Sequence, residues 1–466
     1  MRRRHFLSSA SFQLGAFFLS RNAFGAFSTD RFNKPYGTAS VSPTVVDTIA
    51  GMSVEELLAF HRRELFDVYL PPWEEKGIDW EYGGFFRSWT RENIDRNAVK
   101  QSYDTGRGFW MSGYLYNNFG KKEFHLKSAL RCEQFLYEHC RTEIPGHWES
   151  TLSREGKPLE DYDSYERAGI DGDIYIMQGF TELYRATDRK ELLDEAIANA
   201  HFIMDTYVSP SWQHLFSHGK GTEPGFKKLE TWQHFLGGLT PLARASHDYG
   251  IEMIARACVR NLMERHWLPE YGVFVEYLDD QFNPILPDPE DVYRRFSAST
   301  RPEECRKIKD PKRESFDDYR HICAWHSIQA AWICMDEALR IGNRKMFLDA
   351  MEMGRLTIEK CWVDDDEHGG LSDLDNPEGK AIINETGNPT WARLDDTLVF
   401  LILSIEHTHS PWALYWYDKV FTMLYKHPER ISRTGMLHYP RRFFYSIKSL
   451  ENMLARGGRV SDFLEG

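Results

Sequence analysis

The side chains of this 466-residue chain best suited to chemistry stand near the starts of alternate apolar-periodic segments: Arg107, Asp171 with Asp173, His234, His326, Arg393 with Asp395, and His438 with Arg441. Imidazole titrates closest to neutral pH, so histidines gathered from separate segments suit proton transfer. A guanidinium stays charged and only donates, which suits it to an oxygen on which negative charge develops and rules it out as a base. Asp171, Asp173, Asp395 and Asp396 are candidates for the two carboxyl groups, about 5–9.5 Å apart, that glycoside hydrolysis needs. The sequence contains no HExxH, no Cys/His cluster and no DxDxDG loop. It also lacks GxxxxGK[ST] and a strand-bound GxGxxG, so neither a metal nor any other cofactor is expected.

The elements that must position these residues are helices. Apolar residues recur at three- and four-residue spacing in segment after segment, while alternating runs are few. Ser53 with Glu56 forms a capping box ahead of a helix reaching about 68. Further helices are predicted near 104–119, 121–141, 172–187, 189–206, 228–248, 250–267, 320–341, 343–361, 390–407, 410–426 and 441–455. Breaks such as 118–120, 186–188, 248–250 and 341–343 are too short for anything but antiparallel helical hairpins. Six hairpins imply an all-α fold, an (α/α)6 barrel whose alternate helices line the inside. The longer connections, including Gly83-Gly84-Phe85, 147–171, 271–318 and Gly369-Gly370-Leu371, would surround one mouth. An open solenoid is the alternative, but the hairpins share no sequence repeat of constant period.

Lys plus Arg total 57 against 70 Asp plus Glu, a formal net charge of −13, which argues against nucleic acid as a partner. The 14 Trp, 22 Tyr and 30 Phe supply flat apolar faces for core packing and for stacking on sugar rings. The start carries Arg2 to Arg4, an apolar stretch from Phe6 to Leu19, and small residues Ala23 and Gly25. Residues 1–25 therefore read as an export signal, of twin-arginine type because Arg3-Arg4-His5-Phe6-Leu7 resembles that motif, and the mature protein is expected in the periplasm or outside the cell. Residues 26–50 read as a linker and 51–466 as a single barrel domain, a monomer or homodimer. No later stretch has the ~18 apolar residues of a membrane helix. The seven cysteines include no CxxC pair and read as mostly buried thiols with at most one or two disulfides.

The chain also resembles the N-acylglucosamine 2-epimerase family, which includes cellobiose 2-epimerases and mannose isomerases. Trp73, Asp79 and Gly83-Gly84-Phe85 are similar to the family's W, D and GGF, and Lys100 and Arg107 in KQSYDTGR to its lysine and arginine. HFLGG at 234–238 resembles HLLEA, and HSIQAAW at 326–332 resembles HxIExxW. TWARLDD, with Trp391 and Asp395, falls where the family has WWxQxE, and LHYPRR at 437–442 resembles FHxPR. The resemblance implies an (α/α)6 barrel that removes a proton beside the carbonyl of an open-chain, unphosphorylated sugar and returns it to the other face or to the neighbouring carbon, without a cofactor. It implies His326 and His438 as the acid/base pair, His234 as a ring-opening or hydroxyl-holding group, and Arg107 as the holder of the enediolate oxygen. Trp391, Asp395, Gln329, Trp232, Asp173 and Arg441 are expected to bind substrate, with Trp325 as a further stacking face. Two acids of the pattern are missing: Gln329 replaces the glutamate three residues after the histidine, and Gly237 replaces that of HLLEA. His326 would then need a carboxylate through space, from Asp317, Asp318, Asp395 or Asp396. The alternatives are a glycoside hydrolase or polysaccharide lyase on the same fold, and a carbohydrate-binding protein without turnover.

Overall fold

Ser53 caps the first helix as its sequence predicts: its hydroxyl accepts the Glu56 N–H, and the Glu56 carboxylate accepts the Ser53 N–H. In the computed structural model that helix does not stop near residue 68. α1 runs over Val54–Arg63, passes through a π-helical turn at Glu64–Tyr69 and continues over Leu70–Lys76. The Leu70 N–H reaches back five residues to the Leu65 carbonyl. This wider turn carries the helix past Pro71 and Pro72, which have no N–H and would crowd a regular turn. The structure describes residues 45–86, 99–149, 151–158, 169–208, 227–279, 281–285, 322–364, 369–374, 377–378, 394–426, 431 and 435–465. The expected export signal and most of the expected linker lie outside these residues. The end of that linker is packed, with Val46 and Ile49 buried and Val45 bridged to Arg459.

Eleven more helices follow among the described residues: α2 (Ser102–Asn118), α3 (Glu123–Phe135 with a π turn Leu136–Cys140), α4 (Gly169–Thr187), α5 (Lys190–Val208), α6 (Leu229–Ser246) and α7 (Tyr249–Arg260 with a π turn Asn261–His266). The remainder are α8 (Ala324–Ile341), α9 (Arg344–Cys361), α10 (Leu394–Thr408), α11 (Pro411–Lys426) and α12 (His438–Ala455). The even-numbered helices pack on one another in sequence, α2 on α4, α4 on α6, α6 on α8, α8 on α10 and α10 on α12. Trp110 and Tyr114 of α2 meet Phe444 of α12, with ring centroids 5.8 and 4.9 Å apart, and close the ring. The odd-numbered helices lie outside it: α3 to α11 pack chiefly on their sequence neighbours, and α1 packs on α12. The fold is the (α/α)6 barrel. α12 begins three residues earlier than predicted, because Pro440 sits in its first turn, where its missing N–H costs nothing.

Four odd helices end in the same device. The carbonyls of Gly77, Cys140, His266 and Cys361 accept the N–H groups of Phe86, Glu149, Val275 and Ser372, at 3.0, 2.6, 2.7 and 2.8 Å. Each bond closes a short antiparallel hairpin that returns the chain towards the starts of the even helices. α2 and α4 pack tightest because glycines line their contact. A Cβ on Gly106 would lie 2.7 Å from Tyr175 Cβ and 2.8 Å from the Ile176 nitrogen. Cys132, Cys140, Cys258, Cys323, Cys334 and Cys361 are all buried and free, and Cys305 lies outside the described residues. None of the described helices is long and apolar enough to cross a membrane.

Candidate active site

The first two turns of the inner helices carry the chemistry-bearing side chains, and their mutual contacts place them together. His326, in the first turn of α8, is buried, and its Nδ1 lies 3.0 Å from both carboxylate oxygens of Glu276. Glu276 directly follows a hairpin lock, one residue beyond Val275. The other ring nitrogen of His326, Nε2, is 3.8 Å from Glu230 of α6 and has no hydrogen-bond partner among the described residues. Burial lowers the affinity of the His326 ring for a proton, but Glu276, Glu230 and Asp373 outweigh it and hold the pKa above its ordinary value.

His438 opens α12, and its Nδ1 lies 2.7 Å from Asp396 Oδ2. Arg441 donates to Asp396 Oδ1 at 2.6 Å and lies 3.2 Å from His438 Nδ1, while Trp332 donates its indole N–H to Asp396 Oδ1 at 3.1 Å. Burial alone would raise the Asp396 carboxyl, but Arg441 and His438 prevail and hold it well below the usual carboxylate range. Trp325 joins the two halves, its ring centroid 3.8 Å from that of His326 and 5.5 Å from that of His438. Both imidazoles thus rest Nδ1 on a carboxylate, which turns each Nε2 to the other side of its ring.

His234 of α6 is buried beside Tyr175, at 5.5 Å between ring centroids, and its Nδ1 has no hydrogen-bond partner among the described residues. Burial drives its pKa well below the ordinary value. Glu230 opposes that shift, and the positive charges of Arg107, Arg441 and His326 reinforce it. The ring is therefore neutral at pH 7. Arg107 of α2 is clamped by tyrosines: it donates to the Tyr103 hydroxyl, donates to the Tyr175 hydroxyl at 3.1 Å, and stacks 4.6 Å from the Tyr175 ring. The close glycine contact between α2 and α4 puts Tyr175 in reach. Among the described residues no carboxylate forms an ion pair with Arg107, so the guanidinium keeps its charge for another group.

Several expected substrate-binding residues have other tasks. Asp395 pairs with Arg442 at 3.0 Å, and it is Asp396, about 100° further round the helix, that serves His438. Asp173 accepts from the Trp148 N–H at 2.9 Å and holds His147 at 3.0 Å. Trp232 is fully buried against Phe282 and leaves no face for a sugar, since two residues of helix separate it from the direction of His234. Gln329 is also fully buried. Its amide lies 3.2 Å from Gln233, and with the oxygen turned to Arg441 it accepts from Nη2 at 2.8 Å and Nη1 at 3.1 Å. Arg441 serves Asp396 and Gln329 rather than standing open to solvent. Trp391, Arg393, Asp317 and Asp318 lie outside the described residues.

The sequence reading passed over Glu230, Glu276, Tyr103 and Tyr175. Glu230 had a signal, standing four residues before His234 on one helix face; Glu276 had none. Glu276, Cys323 and His326 also bring three donor atoms within 4.8 Å of one another. The Nδ1–carboxylate contact within that group is at hydrogen-bond length, so a shared proton accounts for it.

No family model matches the chain. It is 22% identical over 316 residues to the cellobiose 2-epimerase of Dictyoglomus turgidum, covering 65% of this chain and 70% of that one. It is 23% identical over 357 residues to the N-acylglucosamine 2-epimerase of Mus musculus, covering 75% and 76%. Among solved structures, the cellobiose 2-epimerase from Bacillus thermoamylovorans superposes with a TM-score of 0.63 at 16% identity, over 84% of this chain and 99% of that one. A D-mannose isomerase superposes at 0.62 and 13% identity, over 86% and 97%, and a β-1,3-1,4-glucanase from Paenibacillus at 0.56 and 12%, over 88% and 96%. The chain is thus distantly similar in sequence to N-acylglucosamine and cellobiose 2-epimerases.

Proposed function

We propose that the protein is a sugar 2-epimerase or aldose–ketose isomerase that moves a proton at C2 of an unphosphorylated reducing sugar. One observation carries this reading: imidazoles from α8 and α12 flank a single indole, each with Nδ1 on a carboxylate. That arrangement suits acid/base groups acting on two sides of one carbon. In the open-chain sugar one imidazole takes the C2 proton, and the electron pair of the broken C–H bond moves through C1 onto its oxygen, giving an enediolate. Arg107, charged and without a carboxylate ion pair among the described residues, is suited to holding that oxygen. Neutral His234 is suited to holding a hydroxyl or assisting ring opening. Return of a proton to the opposite face of C2 gives the epimer; delivery to C1, with the O2 proton passing to O1 and the carbonyl re-forming at C2, gives the ketose. The similarity to sugar 2-epimerases supports the substrate class.

Hydrolysis has less support, since Asp173, Asp395 and Asp396 are engaged by His147 and Trp148, by Arg442, and by His438 with Arg441. The deciding experiment is incubation with reducing mono- and oligosaccharides in D2O. Deuterium at C2 with unchanged chain length is expected; new reducing ends or unsaturated uronate absorbance would replace this reading with hydrolase or lyase. Export is part of the proposal, supported by Arg3-Arg4-His5-Phe6-Leu7. Lysine at both arginines should hold the protein in the cytoplasm, and undiminished periplasmic recovery would refute that part.

A further inference from the structure

We propose that Glu276 is the positioning residue of His326, taking the place of the acid that the resembled pattern carries at position 329. The inference rests on the acid/base role given to His326 above and adds what sets that role. The missing glutamate would have come from one helical turn along α8. Glu276 instead comes from the residue after a hairpin lock, and both its oxygens lie 3.0 Å from Nδ1. A carboxylate there fixes the tautomer: Nδ1 keeps its proton, and Nε2 becomes the nitrogen that exchanges one.

The repeated architecture explains how a carboxylate arrives at this point. Asp373 occupies the equivalent place after the lock that ends α9, and its Oδ1 accepts the Ala324 N–H at 2.7 Å. Two hairpins therefore deliver one acid each to the first turn of α8, one gripping the backbone and the other the imidazole. The groups facing His326 are Glu230 and His234 from α6, Glu276 and Asp373 from the hairpins, Cys323 at the start of its own helix, and His438 across Trp325. Carboxylates dominate this set, in keeping with the raised pKa of the ring.

The position vacated by the acid has its own use. Gln329 is neutral and meets Arg441. A glutamate there would compete with Asp396 for that guanidinium, so moving the acid to residue 276 leaves the His438 carboxylate with its cation.

The test is an NMR titration of the imidazole nitrogens of the intact, 15N-histidine-labelled protein, with the His326 signals assigned by their loss in His326→Gln. In the wild type the Nδ1-protonated tautomer and a midpoint above about 6.5, the ordinary histidine value, are expected; the opposite tautomer or a midpoint at or below that value overturns the proposal without any further variant. Glu276→Gln should lower the midpoint, move the acidic limb of the exchange profile to lower pH, and reduce the exchange rate by about 10²–10⁴-fold with KM little changed. Glu276→Asp, which keeps the charge but shortens the reach, should recover part of the rate. A Glu276→Gln variant with the wild-type midpoint and profile would overturn the assignment. If no sugar exchanges its C2 proton in the wild type, the functional reading fails while the titration still decides the Glu276–His326 pair.

Discussion

Two buried clusters of charge in this barrel are built on opposite terms. Asp79, just beyond α1, accepts from Lys100 Nζ at 3.0 Å, from Arg154 at 2.9 and 3.0 Å, and from the Glu81 and Tyr82 N–H groups at 3.2 and 3.3 Å. Lys100 also donates to the Gly83 carbonyl and lies over the Phe135 ring, and Arg154 reaches Glu81. No buried side-chain atom of Asp79, Lys100 or Arg154 lacks a hydrogen-bond partner among the described residues. In the candidate site, Arg107 Nε, Arg441 Nε, His234 Nδ1 and His326 Nε2 are buried without a hydrogen-bond partner among the described residues. An unmet buried polar atom costs about 1–3 kcal/mol, a cost that water or a bound sugar removes. Saturation marks the cluster whose task is to hold the start of α2 in place; the unmet atoms mark the cluster whose partners, in the proposed reaction, are sugar oxygens and protons.

The sharpest break in this contrast comes from the candidate site. His326→Ala and His438→Ala should each reduce C2 proton exchange by about 10³-fold or more while the circular dichroism of the helices stays unchanged. Near wild-type exchange in both variants would remove the pair from the reaction. The saturated cluster should respond the other way. Asp79→Ala leaves the buried Lys100 ammonium without a carboxylate and Arg154 with Glu81 alone, and should cost about 3–5 kcal/mol in urea unfolding, while the folded fraction retains its exchange rate and pH profile.

A smaller effect sharpens the same point. Although burial by itself would raise the Asp79 carboxyl, Arg154 and Lys100 hold it below its ordinary value. Its contribution to stability is therefore complete above the unfolded pKa of about 3.9 and fades as pH falls through the lower folded value. Asp79→Asn should flatten that acid limb; an unchanged limb would show that the cluster is not where acid sensitivity resides.

The helices and their alternation were legible in the sequence because an inner helix repeats its apolar face several times over. The same pattern placed Arg107, His234, His326 and His438 near helix starts. What failed was finer than one turn. Asp395 and Asp396 are adjacent letters with different neighbours, and only the rotation of α10 separates the Arg442 partner from the His438 partner. Trp232 matched an expectation about aromatic faces that its full burial removes. The helix limits expected at about 68 and 441 gave way to a π turn ahead of Pro71 and Pro72 and to a first-turn position for Pro440. Glu276 lies in a segment with two-residue strands on either side, too short for any periodicity, and its importance arises from contacts fifty residues away.

The hairpin locks carry an evolutionary corollary. Nine residues separate the bonded carbonyl and amide in three of them and eleven in the fourth, yet each closes with the same single bond. A chain built this way can lengthen or trim the tip of a hairpin while the amino acid just past its base keeps its address. Specificity can drift at the rim in such a barrel without disturbing the carboxylates that serve the reacting centre.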